Sequence, residues 1–268
     1  MEHHQILRRG LGALLSLLLC LTLLPGAALA AETDYGFSIN GTQVTSDNIQ
    51  TPEELGVTAT EAGKDFSISY DTTTKTLTLK NVTITGISDY PNGKTVLDCS
   101  NAVSSIKLEG QNIIQCTRIR SNRITYKDVF AGIRTVSALT ITGGGRSDGL
   151  EITMPEYPLG DSISMYGIYT TGLSLTIQDC TLNVICAGET KAANSVTNAI
   201  YAMNNSSDPA NGDITIANAD VTAVIGKNPE NDTITAIRGG SAIYAENSTL
   251  RITDSTVTAG TARISAAA

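Results

Sequence analysis

The sequence predicts an all-β protein, folded as a right-handed parallel β-helix in which each coil of the solenoid is one copy of a sequence repeat. The copies are marked by an alternating apolar triplet that starts at Leu77, Ile106, Leu139, Leu175, Ile214 and Leu250, at intervals of 29 to 39 residues. Such intervals are typical of solenoids, propellers and other repeat arrays. The triplets and the runs after them alternate with period two and are rich in Thr, Ile and Val, as expected for strands with one buried face.

The residues inside each copy distinguish between these repeat architectures. No stretch after residue 30 sustains an apolar stripe of helical period over three turns, which argues against helical repeats. Propeller blades need about four antiparallel strands and usually carry an aromatic signature. These copies have room for three short strands at most, and the chain contains no Trp. A parallel β-helix therefore remains, with the inward Leu, Ile and Val of each coil stacked on those of the next.

One corner of every coil has the composition of a tight turn. The fifth residue of the aligned triplets is Asn81, Gly110, Gly143, Asp179, Asn218 and Asp254. Asn, Asp and Gly tolerate the left-handed backbone conformation and bond neighbouring amides. We interpret these residues as a ladder of turns and not as a catalytic set.

The first 30 residues have the organisation of a secretory signal peptide. Arg8 and Arg9 precede an apolar run of 14 residues, 11–24, and a small-residue cleavage site ends at Ala30. The run is too short for a helix that spans a bilayer, and no second run follows it. We therefore expect a secreted, extracellular protein that is not inserted in a membrane after the signal is removed.

The two ends of the solenoid differ in the sequence. Residues 31–65 lack the triplet and are expected to form an N-terminal cap, with a β-hairpin at 37–44 that turns at Asn40-Gly41. Residues 66–268 are then the β-helix, of about six coils, and the first coil opens near Tyr70. No capping element follows Gly260. We expect an uncapped C-terminus, either because the chain is a fragment of a longer, surface-attached protein or because the last coil stacks on a partner.

The net charge and the histidine content argue against several classes of function. The signal peptide carries Arg8, Arg9 and Glu2, so its removal changes the formal charge from −8 to −9. An acidic protein binds nucleic acid poorly unless its basic residues cluster. Both histidines, His3 and His4, leave with the signal. The mature chain then has no imidazole for a Ser-His or Cys-His nucleophile or for a transition-metal site.

Four cysteines remain, at positions 99, 116, 180 and 186, and they allow three disulfide pairings. If Cys180 and Cys186 lie on one continuous strand, their backbones are roughly 20 Å apart, too far to bond. The sequence is compatible with two alternatives, buried free thiols and disulfides between coils.

The phrases INGTQVTSDN and SYDTTTKTLTLKNVTITG, with the later GIY or AIY and LTI phrases, resemble secreted bacterial carbohydrate-binding β-helix proteins, a family similar in shape to pectate lyases. The resemblance covers roughly residues 35–260. It implies binding of cellulose or acidic, pectin-type polysaccharide and a role for calcium.

Two groups of side chains are candidates for such binding. If Ile168, Ile200 and Ile243 point inward, then Tyr169, Tyr201, Tyr244 and the equivalent Arg134 form a ladder on the outer face, with coils about 4.8 Å apart. Rings can stack on sugars and Arg can bind a carboxylate. The alternative is an exterior stack that only stiffens the solenoid.

A cationic patch is the second candidate. Arg118, Arg120 and Arg123 concentrate positive charge in an acidic protein and would suit a uronate polymer. The alternative is a solvated face whose arginines pair with nearby acids.

Calcium would need oxygen ligands, and two polar inserts offer them. Asp208, Asn211 and Asp213 lie in one insert, and Glu230 and Asp232 lie in the next. Neither insert has EF-hand spacing, and polar loops of this composition often bind no metal.

The sequence thus favours a non-catalytic carbohydrate-binding protein. The alternatives are a passive structural or adhesive surface module and a polysaccharide lyase. No run of acids lies beside the candidate arginines, and Asp179 and Asp254 fall on the turn ladder, so the sequence does not indicate catalytic residues.

Overall fold

The computed structural model describes residues 31–89, 95–120, 128–157, 163–171, 173–189, 196–203, 212–226, 240–246 and 248–261. All the described strands lie in one compact unit that begins at Thr33. The predicted signal peptide lies outside the described residues.

The strands form three sheets, A, B and C, and are numbered along the chain. Sheet A holds β1 (Asp34–Ile39), β2 (Thr42–Thr45), β7 (Thr95–Ser100), β10 (Asp128–Thr135), β13 (Ile163–Thr171), β16 (Val196–Met203) and β19 (Gly240–Glu246). Sheet B holds β3 (Val57–Ala59), β6 (Val82–Asp89), β9 (Gln111–Arg120), β12 (Gly149–Tyr157), β15 (Thr181–Glu189), β18 (Asp220–Ile225) and β21 (Thr256–Thr261). Sheet C holds β4 (Ser67–Asp71), β5 (Thr76–Lys80), β8 (Ser105–Glu109), β11 (Leu139–Thr142), β14 (Leu175–Gln178), β17 (Ile214–Ala217) and β20 (Leu250–Thr253).

Each sequence repeat is one coil of a parallel β-solenoid, which confirms the predicted fold. The apolar triplet is the strand in sheet C, the next run is the strand in sheet B, and the Ile-Tyr pair lies on the strand in sheet A. Coil 1 is β5 to β7, coil 2 is β8 to β10, and so on to coil 5, β17 to β19; β20 and β21 begin coil 6. Equivalent strands of successive coils pair in parallel, as β11, β14, β17 and β20 do.

The core consists of apolar columns that run along the solenoid axis. In sheet C, Ile141, Ile177, Ile216 and Ile252 are register partners in successive coils. The first three are completely buried, whereas Ile252 is 48% exposed in the last coil. One register differs from the sequence alignment: Ile106 lies beside Ile141 and not beside Leu139.

The turn ladder is confirmed at five of its six positions. Asn81, Gly110, Asp179, Asn218 and Asp254 have positive φ between 47° and 69°. The side chains also link coils, since the Asn218 amide donates to the Asp179 carboxylate at 2.7 Å. The sixth position, Gly143, does not have positive φ.

The departure at Gly143 arises from a longer loop between β11 and β12. Asp148 closes this loop, because its carboxylate accepts N–H bonds from Gly144 at 2.7 Å and from Gly110 at 2.8 Å. From the same loop, the Arg146 guanidinium donates to the Asp220 carboxylate at 3.0 Å and to the Asp254 carbonyl at 2.5 Å. The loop therefore joins coil 3 to coils 5 and 6.

The N-terminal cap is a set of antiparallel strands. The predicted hairpin is present as β1 and β2, and Asn40 and Gly41 have φ of 53° and 76°, as a two-residue hairpin turn requires. β1, β3 and β4 pair antiparallel with β7, β6 and β5, so the first cap strand of each sheet runs against the solenoid strands; sheet A continues from β1 to β2. Two short 3₁₀ turns, Asn48–Gln50 and Pro52–Leu55, complete the cap.

The parallel stack begins later than the sequence suggested. β4 contains Tyr70 and runs antiparallel to β5, so it belongs with the cap. The chain reverses because the Asp71 carboxylate accepts N–H bonds from Thr73 and Thr74, which fixes the turn.

Cys99, Cys116, Cys180 and Cys186 are buried, and no disulfide joins them. Cys186 pairs in register with Met154, so an apolar side chain of coil 3 lies beside it. Burial raises the pKa of the Cys180 thiol to about 12 and that of Cys99 and Cys186 still further. Of the two possibilities left open by the sequence, the structure shows buried thiols and no disulfide among these four residues.

The core columns predict unequal effects of the same substitution. Ile177→Ala should lower the free energy of unfolding by about 3 kcal/mol, because it leaves a cavity in a fully buried column. Ile252→Ala in the same column should cost less than about 1 kcal/mol, because half of that side chain is already in water. Urea unfolding followed by circular dichroism measures both, and equal losses would contradict the described packing.

The turn ladder predicts a difference between two small side chains at one position. Asn218→Ala should destabilise the protein by about 1–2 kcal/mol, because a Cβ is strained at φ of 47° and the bond to Asp179 is lost. Asn218→Gly loses only the bond and should be nearly neutral, because glycine accepts this conformation. Melting temperatures of the two variants, measured side by side, test the turn; a lower value for the glycine variant would argue against it.

The thiols predict a simple labelling result. The processed native protein should react negligibly with a thiol reagent at pH 8, because the groups are buried and un-ionised. In denaturant without reductant, four thiols should react. Two or fewer reactive thiols in denaturant would mean that a disulfide forms.

Candidate functional site

The predicted outer ladder is present on sheet A. Arg134, Tyr169, Tyr201 and Tyr244 are register partners on β10, β13, β16 and β19. The same column begins in coil 1 with Asp98, which is paired with Arg134. The ladder therefore spans five coils, from a carboxylate through a guanidinium to three rings.

A fourth ring joins the ladder, and sequence reasoning missed it. Tyr166 packs with Ala131 and Tyr201 in an outer cluster that is separate from the main core. Strict alternation from the inward Ile168 would have placed Tyr166 inside. The strand departs from alternation at Gly167, where a Cβ would lie 2.6 Å from the Ala199 carbonyl oxygen and would collide with Val184. A small residue there lets Tyr166 and Tyr169 both reach the outer face.

The four rings pack closely against one another. Tyr169 and Tyr201 stack with centroids 5.4 Å apart and planes 17° apart, and Tyr201 and Tyr244 are 5.6 Å apart at 35°. Tyr166 lies 4.5 Å from Tyr169 and 5.1 Å from Tyr201. These distances are those of favourable aromatic pairs. The ring column is thus held rigid by its own contacts.

Stacking also decides which ring a ligand can reach. Tyr166 and Tyr201 are 7% and 8% exposed, whereas Tyr244 is 44% exposed. Tyr244 lies at the end of the described column, and no described ring packs on its outer side. Contact with a ring face is therefore available at Tyr244, and the inner rings support it from below.

Beside Tyr244 lies an open cleft of about 370 Å³. Its lining combines rings with hydrogen-bonding groups and comprises Tyr166, Val196, Asn198, Tyr201, Gly240, Ser241, Tyr244 and Glu246. The Tyr201 hydroxyl donates a hydrogen bond to the Glu246 carboxylate. Asn198 Oδ1 accepts the Ser241 N–H at 2.7 Å, which fixes that amide.

Glu246 is the second site residue that sequence reasoning missed. It follows the Ile-Tyr pair by two residues only in the last copy, so no shared phrase pointed to it. Burial raises the pKa of the Tyr201 hydroxyl, and the Glu246 carboxylate raises it further, so the phenol stays a donor. Burial also raises the pKa of Tyr169, against the opposing effect of Arg134.

Arg134 is less available to a ligand than the sequence implied. Its guanidinium lies 3.4 Å from the Asp98 carboxylate, with both side chains partly exposed. The pair contributes little to stability at such exposure. Because of this pair, the Arg134 guanidinium already has a carboxylate partner within the protein.

The predicted cationic patch lies away from the ladder. Arg118 and Arg120 are in β9, paired with Ile87 and Asp89 of β6, and so belong to sheet B. Arg123 lies outside the described residues. The two sets of candidate binding residues are therefore not combined on one sheet.

The calcium prediction rests mainly on residues outside the described part of the chain: Asp208, Asn211, Glu230 and Asp232. The fifth predicted ligand, Asp213, accepts the Thr249 N–H at 2.8 Å and lies 3.6 Å from the Arg251 guanidinium. Within the described ranges, no three His, Cys, Asp or Glu side chains are grouped closely enough to hold a metal ion. Calcium binding stays a prediction.

No known family model, curated protein or solved structure matches this chain. Among the residues that the structure describes, no helix is both long and apolar enough to cross a membrane.

Proposed function

We propose that the protein is a secreted, non-catalytic carbohydrate-binding protein for plant cell-wall polysaccharide, and that it binds the polymer along the outer face of sheet A. The observation that carries this proposal is the register-aligned column of three tyrosines, joined by Tyr166, that ends in an exposed ring beside an open cleft. Aromatic rings bind the apolar faces of sugars, and polar groups nearby fix their hydroxyls.

The rigidity of the ring column supports a ligand-binding role for its exposed end, rather than a structural role alone. A ring that is already held in place loses little conformational freedom when a ligand stacks on it. Tyr244 is held by Tyr201, and Tyr201 is held by Tyr169 and Tyr166. The ring face that a sugar would meet is thus preorganised.

Hydrogen-bonding groups of the cleft suit a hydroxyl-rich ligand. Asn198, Ser241 and Glu246 line it next to Tyr244 and together offer donors and acceptors. A sugar hydroxyl both donates and accepts, so it can bridge such groups. Among the described residues, the lining contains one carboxylate, whereas ordinary glycoside hydrolysis uses two.

A passive structural module is the second candidate, and the burial of Tyr166 and Tyr201 favours it. On that alternative the rings stiffen the solenoid and bind nothing. The polysaccharide lyase also stays a prediction. Incubation with pectate and calcium distinguishes it, because a lyase releases unsaturated products that absorb in the near ultraviolet.

The exposed ring gives the test of binding. Tyr244→Ala should weaken retention on insoluble cellulose and retardation in glycan-containing gels by about tenfold, or ~1.4 kcal/mol, because it removes the accessible ring face. Val136→Ala is the matched control, since Val136 is also 44% exposed and lies outside the cleft lining.

Both proteins are run with calcium and with chelator, so that calcium-assisted binding is seen as a difference between the two conditions. Equal retention of the wild type, Tyr244→Ala and Val136→Ala would remove the ring column from the binding site. If the protein binds no member of a broad glycan panel, the passive structural module becomes the favoured function.

A further inference from the structure

Charge changes along the face of sheet A. Coil 1 and coil 2 carry the paired Asp98 and Arg134, the middle coils carry uncharged rings, and the cleft at the far end carries Glu246. Glu246 is the one ionisable acid or base, apart from tyrosine, among the described residues that line the cleft.

From this distribution we infer that the cleft selects a neutral, hydroxyl-rich glycan and that Glu246 is the residue that disfavours a uronate. The inference rests on the proposed function and specifies its ligand class. The sequence alone left cellulose and acidic pectin as equal possibilities.

Glu246 can serve a neutral sugar directly. A carboxylate has about four acceptor positions on its two oxygens, and the Tyr201 hydroxyl uses one. The remaining positions can accept sugar hydroxyls, and bonds to an ionised acceptor are stronger than neutral ones. Tyr201 therefore fixes the carboxylate and leaves acceptor capacity facing the cleft.

A uronate would bring a second negative charge to the same place. Like charges at an interface are costly unless a cation lies between them. Among the described arginine side chains, Arg134, Arg146 and Arg251 lie beside Asp98, Asp220 and Asp213 respectively, and none lines the cleft. The described lysine side chains, at positions 64, 75, 80 and 107, likewise do not line it.

The chain as a whole reinforces this selection. Its formal charge is −8, so a polyanion is repelled before contact as well as within the cleft. The arginines predicted to bind uronate include Arg118 and Arg120, whose strand lies in sheet B. Any uronate binding there would be separate from the rings.

Affinity electrophoresis in paired gels tests the inference, one containing a soluble neutral cellulose derivative and one containing polygalacturonate. Wild-type protein should be retarded more strongly in the neutral gel. Glu246→Gln should gain on the order of tenfold in affinity for polygalacturonate at low salt, with a smaller gain at high salt. Its glutamine oxygen can still accept the Tyr201 hydrogen bond, so the fold should be retained.

Two further variants separate charge from position. Glu54→Gln is the control, because it removes the same charge from an exposed residue of the cap; it should leave the preference unchanged. Arg118→Ala/Arg120→Ala should abolish any polygalacturonate binding that takes place on sheet B, without affecting the neutral gel.

The inference is overturned if polygalacturonate binds the wild type at least as tightly as the neutral polymer, persists in Arg118→Ala/Arg120→Ala and is lost in Tyr244→Ala. It is also overturned if Glu54→Gln and Glu246→Gln gain equally. If neither polymer binds any variant, the proposed function itself fails. Neutral binding that requires Tyr244, with a uronate gain confined to Glu246→Gln, supports both.

Discussion

The parallel register between successive coils is the constraint on which the rest of the structure depends. Each coil buries its Leu, Ile and Val only because the next coil presents equivalent side chains at the same height. A slip of one residue would turn every buried side chain outward. The inward columns therefore fix the positions of all the other residues, including those that face solvent.

The tyrosine column follows directly from this constraint. When Ile168 and Ile200 stack inside sheet A, Tyr169 and Tyr201 must stack outside it. The alignment of the outer tyrosines thus follows from the packing of the core. Two local features add to this stacking: the small residue at Gly167 admits a further ring, and Tyr244, at the end of the described column, keeps an open face.

Sequence periodicity was sufficient for the parts of the structure that repeat. It predicted the solenoid and the alignment of Tyr169, Tyr201 and Tyr244, whereas the hairpin at Asn40-Gly41 was predicted from its turn residues. It failed where a copy departs from the others. The longer loop at Gly143 and the offset of Ile106 are not visible when copies are aligned by phrase, and the reversal at β4 depends on a single Asx turn at Asp71.

In the candidate site, too, the residues that repeat from coil to coil were predicted and those that do not repeat were missed. Tyr166 was missed because period-two alternation breaks at a glycine, and Glu246 was missed because its chemistry depends on a partner 45 residues away. The predicted pairing of Arg134 with a ligand carboxylate overlooked Asp98, which only the register between coils brings beside it. Contacts between unlike residues of different coils are not encoded in a repeat pattern.

Arg146 has a consequence for how the solenoid comes apart. Repeat proteins usually behave as one-dimensional stacks in which each unit senses only its neighbours, so that ends can fray independently. Arg146 reaches from the third coil to the fifth and sixth along one edge, and so ties units that are not adjacent. Loss of coil 6 would then break a contact made by coil 3, so the two coils are coupled although they are not neighbours; the exposure of the Arg146 side chain keeps the energy of this coupling small.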